Sequence, residues 1–384
     1  MDKALMVNVE LALHWQSRYA RHIDRSFFER INLWRDFFPV DLAARLGQAR
    51  VGEPVGCALP AGELTGPHEP GLVRTLPRTQ FHPARPGLET LAPVTGRFYP
   101  RNFLRDLPDF YPEDRRPFRC LASGNETLTA DFNHPFAGFP ATLDAQLVDV
   151  LEEKQERGGR CNDLAGGIID NGPGMQAAPA NADVDFLPGE PFARMDPRPD
   201  LQFYREPRLV QHLDRAALAD IGRIYAEFMR PGMRVLDLMS SWVSHLPGKT
   251  AGLEVTGLGL NQEELERNPV LNNRLVHDLN ADPRLPFDNA SFDAAICTVS
   301  VEYLIRPIEV IREVARVLRP GAAFVVTFSD RWFPTKVITL WTELHPFERI
   351  GLVIDYFRLA GGFADLASIS IRGRPRPADD AHAA

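Results

Sequence analysis

The segment Asp237-Leu238-Met239-Ser240-Ser241-Trp242-Val243-Ser244-His245 sets a carboxylate, serine hydroxyls and an imidazole side by side. Serines are small and donate hydrogen bonds, while Met239 and Trp242 add bulk to the loop. Asn261 and Glu264 in LNQEEL add an amide and a carboxylate. Asp330, Arg331, Trp332 and Lys336 fall together in FSDRWFPTK. Arg331 with Lys336 suits an acidic group such as a carboxylate or a phosphate. Taken singly, each of these is as readily an ordinary surface charge, and Trp332 and Trp341 read as core or lid packing.

Strands and loops must hold these groups in place. RVLDLM, EVTGLGL, RLVHDL, FDAAICTVS and AAFVVTF are short apolar runs that suit buried parallel strands. Asp214 caps a helix whose Leu218, Ile221, Tyr225 and Phe228 recur at helical spacing, ending at Pro231-Gly232. Pro307 opens a second helix with a stripe of Ile311, Val314, Ala315 and Leu318, ended by Arg319-Pro320-Gly321. Repeated strand–helix units build a doubly wound α/β sheet that takes ligands at the carboxyl ends of its strands. Upstream the period changes to two. Val7, Val9, Leu11, Leu13 and Trp15 alternate with polar neighbours, and TLTADF and TLDAQLVDV do the same, with one short helical piece at VDLAARLG. The first 155 residues therefore read as antiparallel and strand-rich. Residues 156–200 are rich in Gly, Pro, Asn and Asp and read as a linker or a lid. The last residues, 374–384, read as a disordered tail.

The 384 residues suffice for two domains, and 44% hydrophobic content suffices for a packed core. A net charge of −8 leaves no cationic excess to neutralise phosphates, which argues against nucleic acid as a partner. No stretch has the apolar length of a membrane span or the pattern of a signal peptide, so the expected setting is cytoplasmic, away from membranes. Cys57, Cys120, Cys161 and Cys297 lie far apart without a CxxC pair, which points to reduced thiols and no metal site.

PGMRVLDL, then VTGLGL, then DLNADPRLPFDNASFDAAICTVSVEYL, then EVIREVARVLRPGAAFVVTF resemble, in order and spacing, the landmarks of class I S-adenosylmethionine-dependent methyltransferases. The resemblance implies S-adenosylmethionine as cofactor. It places Asp237 at the end of the first strand, with the loop of Met239, Ser240, Ser241 and Trp242 passing the methionine moiety. Asp278 stands where the family accepts the adenine amino group, with Leu279 against the ring, and Thr298 and Ser300 lie beside the transferring methyl. Two departures stand out. The first loop lacks the glycines of D-x-G-x-G, and Gly259 occupies the position of the acid that holds ribose, which leaves that task to Asn261 or Glu264.

Methyl transfer is an in-line displacement that depends chiefly on orientation and exclusion of water. A general base enters only if the acceptor must lose a proton. Candidates are Glu302 and Tyr303 after the fourth strand, Asp330 and Arg331 after the fifth, and His245. Tyr204, Arg205 and Lys336 are candidate acceptor contacts. In the N-terminal part, VGEPV, LPAGEL and DFNHPFAG (Asp131 to Gly138) resemble FKBP-type peptidyl-prolyl isomerases of the SlyD kind, which implies an insert near residues 67–117. Thr65 replaces the flap tyrosine of that family, so strong isomerase activity is not expected. The expected organisation is an FKBP-like domain over 1–155, the linker, a Rossmann-like methyltransferase domain over 201–373, and the tail. The expected function is methylation of an unidentified acceptor, small molecule or peptide or protein. The alternative is a peptide-binding, chaperone or isomerase module on a non-catalytic methyltransferase-like scaffold.

Overall fold

The computed structural model describes residues 4–39, 41–83, 91–108, 111–154, 159–170, 172–246, 252–377 and 379–380. Parts of the expected insert (84–90, 109–110), of the linker (156–158, 171) and of the tail (378, 381–384) lie outside these. The chain forms two units. The first comprises Met1–Pro188, Leu344–Ile354 and Asp365–Arg374, and the second comprises Gly189–Glu343, Asp355–Ala364 and Pro375–Ala384.

In the first unit, β1 (Ala4–Gln16) pairs antiparallel with both β2 (Arg21–Asn32) and β8 (Ala141–Lys154), and β8 in turn pairs with β3 (Pro54–Leu59). The alternating residues Val7, Val9, Leu11 and Leu13 are fully buried, as the period of two requires. Helix α1 (Leu42–Leu46) lays Leu42 and Leu46 on the same core. A second, four-stranded sheet has the order β4-β7-β6-β5, formed by β4 (Val73–Pro77), β5 (Phe98–Pro100), β6 (Pro117–Ser123) and β7 (Thr127–Asp131). It has its own core of Leu76, Tyr99, Phe118 and Leu128. This module runs to Asp131, beyond the insert boundary expected at residue 117.

The expected linker is largely built into the first unit. Helix α2 (Leu164–Ile169), capped by Asp163, buries Leu164, Ile168 and Ile169 in the main core, and Met175 packs with Phe98 and Phe347. Strand β14 (Ala367–Arg372) pairs parallel with β2, so it completes this sheet instead of closing a methyltransferase domain at residue 373. Arg374, placed in the expected tail, meets Glu10 at 2.8 Å.

The second unit carries a sheet of order β11-β10-β9-β12-β13, parallel throughout. Its strands are β9 (Arg234–Leu238), β10 (Glu254–Gly259), β11 (Asn273–Val276), β12 (Phe292–Thr298) and β13 (Leu318–Thr327). The short helix α3 (Asp200–Phe203) and helix α4 (Arg215–Phe228) precede them, α5 (Gln262–Arg267) leads into β11, and α6 (Pro307–Val317) leads into β13. Asp214 caps α4 by accepting from the Ala217 N–H at 2.8 Å. Ile221 and Tyr225 are buried as expected, whereas Phe228 at the helix end is exposed. Helix α6 ends one residue before Leu318, which opens β13. Helix α7 (Thr339–Glu343) follows, and α8 (Pro346–Ala360) gives its residues to Ile354 to the first unit and the rest to the second. Strand order reverses between β9 and β12, which opens a crevice at the carboxyl ends of these strands.

Candidate functional site

A cavity in the second unit occupies that crevice. It is lined by Asp237 and Met239 after β9, Gly259 and Asn261 after β10, Asp278 after β11, and Thr298 after β12. Ser240, Ser241, Trp242, Glu264, Leu279 and Ser300 also line it, so the residues mapped to a cofactor line one cavity. Tyr204, His245 and Tyr303 reach the same cavity. Three lining residues have left-handed backbone without being glycine, namely Met239 (φ 54°), His245 (φ 53°) and Val299 (φ 42°). For a β-branched residue such as Val299 this is strained, and strain of this kind concentrates at functional sites. Met239 stands where the resemblance places a glycine.

The first loop is held by side chains. Asp237 is fully buried and accepts from the Ser240 hydroxyl at 2.6 Å and also from Ser244. Burial pushes its carboxyl up to about 7, partly offset by these two bonds. The Ser241 hydroxyl donates to Glu264 Oε2 at 2.7 Å. Asn268, also fully buried, donates from Nδ2 to the Ser241 carbonyl and to Ser244 Oγ. The Ser240 N–H closes on the Leu258 carbonyl at 2.8 Å. A Cβ on Gly259 would lie 2.2 Å from the Ser240 carbonyl oxygen. Gly259 therefore permits the loop to cross β10, and no acid fits at that position.

Asn261 caps α5 through Oδ1, and its Nδ2 donates to the carbonyls of Tyr204 and Arg205 at 3.0 Å each. Glu264 Oε1 accepts from the Arg208 N–H at 2.7 Å. Both residues thus tie the segment before α4 to the loop region. Asp278 Oδ1 accepts from the N–H groups of Asn280 and Ala281. Tyr225 hydrogen-bonds to the hydroxyls of Thr298 (2.6 Å) and Thr327 (3.1 Å), fixing α4 over the ends of β12 and β13.

The remaining candidates are placed differently. Glu302 is fully buried, outside the cavity lining, and Asp330, Arg331 and Arg205 do not line it either. Lys336 is fully buried too. Its Nζ meets Asp200 at 3.0 Å and donates to the Arg198 carbonyl at 2.6 Å. An ammonium committed to these acceptors is a structural charge, which corrects the expectation that it reaches an acidic acceptor. Asp200 also takes two hydrogen bonds from Arg194 at 2.9 Å and one from Asn280 at 2.7 Å. Burial raises its pKa, but these donors outweigh burial and hold the carboxyl below its usual range.

Several lining residues escaped the sequence reading, among them Arg208, His212, Asn280 and Phe333. Arg208 and His212 lie in the irregular stretch before α4, where no period says which side chain faces inward. Phe333 lies in the FSDRWFPTK segment, whose charges drew the expectation instead. The Phe333 N–H donates to the Tyr303 hydroxyl at 2.8 Å.

Residues 240–326 match the family model described as a methyltransferase domain. Squalene methyltransferase 1 of Botryococcus braunii is 33% identical over 126 residues, a match covering 29% of this chain and 31% of that relative. The chain thus matches about a third of the curated relative's length. Among solved structures, an S-adenosylmethionine-dependent methyltransferase from Mesorhizobium loti is 21% identical, with 28% of this chain and 52% of that chain covered and a TM-score of 0.24. Geranyl diphosphate C-methyltransferase from Streptomyces coelicolor A3(2) is 14% identical, with 33% and 61% covered and a TM-score of 0.27. The family match falls on the unit with the parallel sheet. That unit carries the residues matched as a methyltransferase domain, and S-adenosylmethionine is the cofactor that goes with such a domain.

Proposed function

We propose that the chain is a methyltransferase that transfers the methyl of S-adenosylmethionine to a small-molecule acceptor, with the first unit an appended FKBP-like module of weak or no isomerase activity. The observation that carries this reading is the cavity at the strand-order reversal, lined by Asp278, the Asp237 loop and the ends of β9, β10 and β12. The donor set fits the cofactor. Asp278 keeps a carboxylate oxygen for an amino group, Leu279 offers an apolar side for a purine, and Arg208 Nη1 is a buried cationic donor with no hydrogen-bond partner among the described residues.

When bound, S-adenosylmethionine would supply an electrophilic methyl, taken by an electron pair of the acceptor as the carbon–sulfur bond breaks and its electrons stay on sulfur. The chain's own residues orient and enclose. Tyr204, Tyr303 and Phe333 form an aromatic side of the cavity, with Tyr204 and Phe333 ring centroids 6.4 Å apart. Such a surface excludes water and suits an acceptor with an apolar body. Burial pushes the Tyr303 hydroxyl well above the usual phenol range, so it stays protonated. Burial holds the His245 imidazole below its ordinary value, so it is neutral at pH 7 and can take a proton from an acceptor that must lose one. A small-molecule acceptor is supported by these walls and by the curated relative whose name specifies squalene.

The test is to incubate the full chain with methyl-labelled cofactor and, separately, small-molecule and protein fractions of a cell extract. Label is expected in the small-molecule fraction, with S-adenosylhomocysteine as co-product. Label confined to the protein fraction, or none in either, counts against this reading.

A further inference from the structure

The three serine hydroxyls of the first loop are committed to the protein itself. Ser240 donates to Asp237, Ser241 donates to Glu264, and Ser244 bonds to both Asp237 and Asn268. A loop so engaged has few side-chain donors left for a ligand carboxylate, the role that the family resemblance implies for it. The cavity holds another donor. The Arg208 guanidinium lies over the rings of Phe203 (4.4 Å), Phe333 (4.8 Å) and Tyr204 (5.3 Å). Its backbone N–H is fixed by Glu264, and Nη2 reaches the Phe203 carbonyl at 3.5 Å, a weak contact. Nη1 is buried and unpartnered among the described residues.

The acidic side chains lining the cavity do not take that proton. Asp237 is bonded to Ser240 and Ser244, Glu264 to Ser241 and the Arg208 main chain, and Asp200 to Arg194, Lys336 and Asn280. Asp278 turns Oδ1 to its own loop. A buried cationic N–H without an acceptor is costly, and aromatic faces that hold a guanidinium flat present its edge as a fork that matches a carboxylate.

We infer that Arg208 is the carboxylate anchor of this cavity, binding the methionine carboxylate of S-adenosylmethionine where the family's glycine loop has been replaced. The inference rests on the methyltransferase reading above. Its test is calorimetric binding of S-adenosylhomocysteine and of 5′-methylthioadenosine, which has no amino-acid carboxylate, to the full-length chain and to its Arg208→Met and Arg208→Lys variants. S-adenosylhomocysteine is expected to lose about 10- to 100-fold in affinity in Arg208→Met and to recover part of it in Arg208→Lys. 5′-Methylthioadenosine is expected to bind all three proteins alike. Unchanged binding of S-adenosylhomocysteine to Arg208→Met overturns the inference and leaves the guanidinium to an anionic acceptor group. Equal weakening of both nucleosides also overturns it, because Arg208 then only supports the fold of the cavity. An unsubstituted protein that binds neither nucleoside removes the methyltransferase reading and this inference with it.

Discussion

Asp237 sits where a carboxylate is least at home, fully buried at the end of β9 with serine hydroxyls as its hydrogen-bond donors among the described residues. Its folded pKa of about 7 lies above the ordinary 3.8. The folded state therefore binds this proton more tightly than the unfolded chain does. The stability it contributes is fully present below about pH 4 and is lost as pH rises through about 7. Between pH 5 and pH 8 the loss amounts to about 2–3 kcal/mol. Thermal melts across that range should show Asp237→Asn with a flatter pH dependence than the unsubstituted protein, and equal slopes would contradict the assignment. Lys336 is the opposite case, a buried cation fully engaged by Asp200 and backbone carbonyls. Lys336→Met leaves Asp200 with one cation fewer in a dry site and should cost roughly 3–5 kcal/mol in denaturant unfolding. A loss below 1 kcal/mol would show that Arg194 alone satisfies that carboxylate.

At the scale of elements, the crossing of the first loop over β10 explains both departures from the family pattern together. The loop main chain occupies the space that a side chain at residue 259 would need, so the ribose acid and this loop path exclude each other. Restoring the acid as Gly259→Asp is therefore expected to destabilise the protein by roughly 2–3 kcal/mol or more and to weaken cofactor binding. A variant that binds more tightly without loss of melting temperature would refute this. The alternating period exposed β1, β7 and β8 in the sequence, and the apolar runs with their helix caps exposed β9 to β13, α4 and α6. The parallel partner of ASISIR was not legible, because β2 lies some 340 residues earlier and period alone names no neighbour. Arg208 was hidden for a related reason. A stretch without regular structure gives no facing rule, so the sequence does not set Arg208 apart from Tyr204 and Arg205 in the same segment.

For the whole molecule, the first unit is completed by residues from the far end of the chain. Ser370 on β14 donates to the buried Asp24 at 2.6 Å, and Glu348 accepts from the Phe98 N–H at 2.7 Å. Met175, Phe98 and Phe347 share one small core. Contacts of such sequence separation close late and at a large entropic cost. Without β14, β2 would also present an open edge for association. A fragment of residues 1–188 should accordingly melt well below the full chain or aggregate, as read by circular dichroism and light scattering. A fragment as stable as the first unit of the intact protein would mean that the distant segments are dispensable.

Binding of S-adenosylmethionine in the cavity at the carboxyl ends of β9, β10 and β12 is open to calorimetric titration of the full-length protein with S-adenosylmethionine and S-adenosylhomocysteine, alongside Asp278→Ala. Binding in the micromolar range is expected, which Asp278→Ala should abolish or weaken by at least about tenfold, as loss of a hydrogen bond to a charged group implies. No heat and no thermal shift with either ligand at millimolar concentration would contradict it, and would mean that the serine loop has closed the site.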